Sequence, residues 1–268
     1  MNLKKLVQLR PVTSYFTATF VISWLGAFIL VAPKLFSGQA IPKMDGILMF
    51  PLMLIGPVAA SFTLTYLNEG KTGIRNFFLR MGKWKAPFKW YVIAFIIPPC
   101  LILITLFTLQ TFVSPVFKPN FFLFGFLFGI PAGFLEEIGW TGFAYKKLRL
   151  KFTVFKTALI VGLFWGLWHL PVIDFLGAAS PHKQYLWPFF IAFIAVLVSM
   201  RLIMMWIYSN TDSLPLVQFM HAVSTGCLAT FGPFNITPAQ ETSWYAMYAI
   251  VLSITALFIL KYSKTIVR

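Results

Sequence analysis

Eight apolar runs, each long enough to cross a bilayer, dominate the sequence and leave little from which a soluble core could be built. They lie near 14–32, 47–67, 90–112, 119–145, 155–176, 185–208, 213–231 and 242–262, and a helix needs about 17 to 25 apolar residues to traverse the hydrocarbon layer. Lipid offers the backbone no hydrogen bonds, so runs of this length must satisfy their own amides as helices. The expected fold is all-α: a single polytopic transmembrane domain over 1–268 with about eight transmembrane helices, a motif-bearing core at about 119–231 and a site buried in the bilayer. Of the 268 residues, 59% are hydrophobic and 18% aromatic, a composition that only a membrane solvent accommodates.

The charges test that reading. A net charge of +15, from 22 basic against 7 acidic residues, would raise the question of nucleic acid in a soluble chain. Here the basic residues cluster between apolar runs and no recognition module accompanies them, so no nucleic-acid partner is expected. Eight spans put both termini on one side. That side then collects Lys4, Lys5 and Arg10, six basic residues in 71–89, five in 146–156, Arg201 near the end of the sixth span and three in the C-terminal tail, 18 of the 22. Lys34, Lys43, Lys118 and Lys183 fall opposite. Basic residues stay on the cytoplasmic side of short loops, so both termini are expected to be cytoplasmic. The basic N-terminus precedes an apolar stretch of about 18 residues with no clear small-residue cleavage site, which favours a retained first span over a signal peptide.

Between the second and third spans, Ile74, Phe77, Phe78 and Met81 recur at helical spacing among basic residues. This predicts a helix lying in the interface, with a solvated basic loop as the plainer alternative. In the fourth span Gly125, Gly129 and Gly133 form a four-residue ridge that lets a neighbouring helix approach closely, and Pro131 should kink the helix just before two glutamates. Cys100 and Cys227 sit in apolar runs, where neither a disulfide framework nor a zinc ribbon can be made from them.

The chemistry resides in a few polar residues at membrane depth. Glu136 and Glu137 stand side by side in an apolar span, and a charge there costs about 2.5 to 3.5 kcal/mol, which makes an intramembrane carboxylate a functional candidate by default. A structural pair satisfied by neighbouring helices is the plainer reading. By a rise of about 1.5 Å per residue, Glu136 lies about 15 Å from Lys146, His169 about 20 Å from Phe155 and His221 about 12 Å from Ser213, so three spans place them in one layer. A single membrane histidine is usually a helix-to-helix hydrogen-bonding residue; two histidines level with two carboxylates suggest hydrolysis. A carboxylate or imidazole can take a proton from water. A second imidazole, with the Thr225 hydroxyl one turn along, could stabilise an oxyanion. Glu136, His169 and His221 could instead hold zinc, although the HExxH helix is absent.

These residues resemble a known family, the CPBP intramembrane proteases, which include the type II CAAX prenyl endopeptidases, the lysostaphin resistance protein A group and the Abi bacteriocin self-immunity proteins. Glu136-Glu137-Ile138-Gly139-Trp140-Thr141-Gly142 is similar to the family's EExxxR. Phe164-Trp165-Gly166-Leu167-Trp168-His169-Leu170-Pro171 is similar to its FxxxH, and His221-Ala222-Val223-Ser224-Thr225 to its HxxxN or HxxxD. The stretch from Gly56-Pro57 to Trp90 also looks like the family. The resemblance implies a membrane peptidase with its site open towards the cytoplasm and the lateral membrane. It implies that Glu136, with His169, activates the water, and that His221 and Thr225 stabilise the oxyanion. The family has been labelled metalloprotease; a metal-independent glutamate mechanism, with no cofactor, is the version favoured here.

Three positions depart from the pattern. The family arginine is Thr141, so the ion pair expected four residues after Glu137 is missing, and Glu137 must find another cation, stay protonated or reach water. The family Asn or Asp is Thr225, and the FxxxH aromatic is Trp165, a mild change. The leading expectation is an intramembrane endopeptidase in a prokaryotic plasma membrane, acting on a peptide or protein substrate that could carry a lipid. A catalytically silent immunity or peptide-binding protein is the alternative, motivated by Thr141 and Thr225. A proton-coupled transporter is a third reading, disfavoured by the lack of an inverted repeat.

Overall fold

A computed structural model describes residues 3–263, so Lys264 and Arg268 of the basic C-terminal tail lie outside the described residues, as does the side chain of Lys4. Among the described residues every regular element is helical. After a short helix Leu3–Leu9 come α1 (Pro11–Phe36), α2 (Lys43–Met81), α3 (Phe88–Phe112), α4 (Leu123–Leu148), the shorter α5 (Val154–Trp168), α6 (Lys183–Thr211), α7 (Leu214–Phe231) and α8 (Pro238–Tyr262). All eight apolar runs are thus found as helices, and seven of them are long and apolar enough to cross a membrane. The expected fifth span, 155–176, is built in two pieces. Its α-helix stops at Trp168, His169 caps it, and Leu170–Phe175 continues as a 3-10 turn because Pro171 cannot extend the α-helical ladder.

Large apolar side chains on the outer faces of α1, α3 and α8, among them Leu25, Ile29, Phe95, Phe107, Ile254 and Leu257, are exposed. In water such a belt would drive aggregation; against acyl chains it is the solvated surface. The most enclosed helices are α6 and α7. α6 packs against α5 and α8, while α7 packs along α3 and α4.

The glycine ridge explains the α4–α7 contact. A Cβ on Gly125 would meet the backbone of Ala229, one on Gly129 the Ala222 carbonyl, and one on Gly133 the backbone of Ala222 and Gln218. Three bare turns of α4 therefore lie directly on the α7 main chain. Beyond Pro131 the expected kink takes a particular form. The segments Ala132–Glu136 and Trp140–Tyr145 are π-helical, each widening the helix by a residue per turn, on either side of the short α-helical stretch Glu137–Gly139. Such wide turns are rare and concentrate at functional sites.

α2 breaks at Gly70, whose φ of +63° ends the membrane-depth helix and lets 71–81 start in a new direction. The expected helix at Ile74–Met81 is present. Phe77 is its buried face, Phe78 its exposed one, and both meet Phe62. At the far end of the molecule a second polar cluster pins the α5–α6 connection. His182 lies between Asp174 and Glu241 at 3.3 and 3.1 Å, stacked on Phe189, and Glu241 also accepts from the Ala178 and Ala179 amides at 2.9 and 2.8 Å. Every polar atom of that histidine is engaged, so the cluster reads as a clamp.

Gly129→Val tests the ridge. Its branched side chain must push α7 off α4, and overpacking of this kind costs about 1 to 3 kcal/mol, so a clear drop in the thermal unfolding temperature of the detergent-purified protein is expected.

Candidate active site

Glu137 is fully buried on α4 and saturated with partners. Its Oε2 accepts from Arg201 Nη1 at 2.7 Å and from the Thr141 hydroxyl; its Oε1 accepts from Arg201 Nη2 at 2.9 Å and faces His221 Nδ1 at 2.8 Å. A carboxylate paired bidentately with a guanidinium is ionised and can only accept, so Nδ1 of His221 is the donor. That leaves Nε2 of His221 without a protein partner among the described residues. Arg201 Nη1 also donates to Thr141 Oγ1 at 3.2 Å. Thr141, where the resemblance wanted an arginine, is thus a hydroxyl bridging Glu137 to an arginine supplied by α6.

Arg201 itself corrects an expectation. It was counted with the basic residues of the membrane boundary, yet it is fully buried, ten residues before the end of α6. Sequence position places it near a helix end; its partner holds it inside.

Glu136 is held differently. Its Oε2 accepts from the indole N–H of Trp165 at 2.5 Å and of Trp140 at 3.3 Å, and Oε1 accepts no hydrogen bond from the protein. All seven acidic residues are described. Asp45 faces Lys34, Glu69 faces Lys147, Asp212 faces Lys83, Asp174 and Glu241 share His182, and Glu137 has Arg201 and His221. Glu136, 1% exposed, is the one carboxylate with no basic group in ion-pair contact.

Trp165 connects the remaining residues. Besides serving Glu136, its ring lies edge-on to His221 at 4.9 Å and to His169 at 6.2 Å, and Arg201 sits over its face at 4.3 Å. Its carbonyl is 2.8 Å from Nδ1 of His169. A carbonyl only accepts, so Nδ1 donates and Nε2 of His169 is left free of protein partners. Trp168, Phe193 and Phe50 enclose the His169 ring. The mild change from Phe to Trp at 165 is therefore consequential, since a phenyl ring has no N–H to give Glu136.

The structure brings Glu137, Thr141, Arg201 and His221 into direct contact, and joins Glu136 and His169 to them through Trp165. Thr225 lies one turn beyond His221 on α7, half-buried, and its hydroxyl touches none of these groups. The three side chains proposed for zinc do not converge: among the described residues no three His, Cys, Asp or Glu side chains form a ligand set. Glu136, His169 and His221 as placed here do not fit a metal centre, and no chemical step is routed through one.

Breaking the Glu137–Arg201 pair from one side strands a buried charge, at a cost of about 3 to 5 kcal/mol, whereas replacing both partners by apolar groups costs much less. Glu137→Ala should therefore lower thermal stability in detergent more than the double change Glu137→Leu/Arg201→Met does.

Comparison with known proteins accords with this geometry. Residues 117–227, which hold all the motifs above, match the family model described as type II CAAX prenyl endopeptidase Rce1-like. The chain is also 26% identical, over an alignment of 225 residues, to CAAX prenyl protease 2 of Methanococcus maripaludis, covering 77% of this chain and 80% of that relative. The chain is an integral, multi-pass membrane protein whose motif-bearing core belongs to the Rce1-like family of type II CAAX prenyl endopeptidases.

Proposed function

We propose that the chain is an intramembrane endopeptidase in which Glu136 is the general base. The observation that carries the reading is the contrast between the two glutamates. Glu137 is locked by a guanidinium, a hydroxyl and an imidazole, while Glu136 is steadied on one oxygen by two indoles and keeps the other uncommitted. A buried carboxylate is costly, and one without a cation is the group free to change its protonation during a reaction.

In this scheme Oε1 of Glu136 takes a proton from a water, assisted by Nε2 of His169, and the water oxygen attacks the scissile carbonyl carbon. The carbonyl electron pair moves to oxygen, where Nε2 of His221 meets it as a donor when that ring carries both protons, with the Thr225 hydroxyl as a second donor. The tetrahedral intermediate then collapses: the C–N bond breaks and Glu136 returns its proton to the leaving amine. Arginine is missing at 141, but Glu137 is not left without a cation. That removes one ground for the silent binding-protein reading.

Substrate approach is supported by an apolar groove of about 820 Å³ along α1 and α5, lined by residues including Phe16, Phe20, Trp24, Leu25 and Phe164. Phe16 and Phe164 stack at 4.1 Å and form its floor, with Trp140 behind Phe16 at 6.2 Å. A hydrocarbon chain attached to a peptide would find there a surface it need not desolvate. Both termini are placed on the cytoplasmic side. α5 rises about 22 Å and Leu170–Phe175 adds about 12 Å, enough together to complete an eighth crossing of a hydrocarbon layer about 30 Å thick.

The test is turnover of an internally quenched peptide ending in a farnesylated Cys-a-a-X sequence, against its unprenylated twin, by reconstituted protein. Glu136→Gln should cut turnover about 100-fold or more; unchanged turnover would show that another group is the base.

A further inference from the structure

Arg201 is an expensive way to stabilise a helix bundle. Desolvating a guanidinium costs several kcal/mol, and an apolar side chain of similar volume usually serves stability as well or better. Its Nε, moreover, has no partner. What the side chain does achieve is geometric. Two nitrogens on the two oxygens of Glu137, at 2.7 and 2.9 Å, fix the plane of that carboxylate. The plane in turn decides where Oε1 points, and Oε1 is what holds Nδ1 of His221. One ring nitrogen being committed, the other is aimed by default.

The same guanidinium acts on the second half of the site. Its flat face covers Trp165 at 4.3 Å, an arrangement open to a planar delocalised cation and poorly served by an ammonium. Trp165 is the closer of the two donors to Glu136. Covering one face of the indole restricts its rotamer and hence the direction of the N–H that steadies the free glutamate. Thr141 completes the arrangement by accepting from Arg201 while donating to Glu137. Any larger side chain at 141 would occupy the space through which α6 reaches α4.

We propose that Arg201, on α6, is the positioning residue of this site: through Glu137 it aims His221, and through Trp165 it orients Glu136. It touches neither substrate nor water in this scheme. Its kinetic consequences rest on the peptidase reading, but its structural ones do not.

The experiment compares Arg201→Met, Arg201→Lys and Thr141→Arg/Arg201→Met on the farnesylated quenched peptide, and follows Trp165 by fluorine NMR of protein labelled with fluorotryptophan, its line assigned by Trp165→Phe. Arg201→Met should lower kcat about 100-fold, the scale on which small displacements of reacting groups act, with KM held within about threefold. Arg201→Lys keeps the charge and loses the fork and the stack, so a loss of about 10-fold in kcat is expected. Returning a guanidinium from position 141 should recover about 10-fold over Arg201→Met by re-engaging Glu137 four residues away, while the Trp165 line stays displaced. Should Arg201→Met fail to fold, the lysine and relocated-arginine variants carry the comparison. Values of kcat within about twofold of wild type in the lysine variant and in whichever methionine-bearing variants fold, or an unmoved Trp165 line, would overturn the proposal. Wild-type protein that cleaves neither peptide would sink the peptidase reading instead, and the Trp165 line would then decide the role of Arg201 alone.

Discussion

A carboxylate survives in hydrocarbon beside a cation, and the contact between Glu137 and Arg201 supplies that condition across two helices 64 residues apart in sequence. In a low-dielectric interior such an attraction is many times its value in water, but it offsets desolvation only when the geometry is close and the remaining hydrogen-bond positions are filled. Both requirements are met. Thr141 and His221 take the lone pairs the guanidinium leaves, so α4, α6 and α7 are tied at one point. The exposed pairs Lys83–Asp212 and Lys147–Glu69 can contribute little by comparison. The rest of the site is arranged around this fixed point.

Glu136 depends on it by contrast. Adjacent residues on a helix point about 100° apart, so Glu136 faces away from the ionic knot and into the indoles of Trp140 and Trp165. Indole N–H groups donate without carrying charge. They can restrain a carboxylate without neutralising it, and that separates a group that holds structure from one that can react.

Much of this was legible in the sequence because lipid is an unforgiving solvent. The runs of apolar residues announced eight helices, the Gly125–Gly129–Gly133 spacing announced a close helix contact, and Glu136, Glu137, His169 and His221 stood out because polar groups at membrane depth need a reason. Three features did not show. Arg201 was read as a boundary charge, since nothing local says that an arginine ten residues from a helix end is turned inward. Trp165 looked like an aromatic for an aromatic, because a motif records ring shape and the structure uses the N–H. The clamp of Asp174, His182 and Glu241 joins residues up to 67 apart in irregular chain, where periodicity carries no signal. Each miss is a tertiary partner, and partners at that range leave no trace in local pattern.

The two π-helical turns of α4 have an evolutionary consequence. Each holds one residue more than an α-helical turn does, so the azimuth of everything after it depends on that surplus residue staying. Loss of a single residue within 132–136 would let the helix close into regular i→i+4 bonding and swing Glu137, Thr141 and their neighbours round by about 100°, away from α6 and α7. Lineages of this protein can therefore exchange side chains along the fourth helix far more freely than they can lengthen or shorten it.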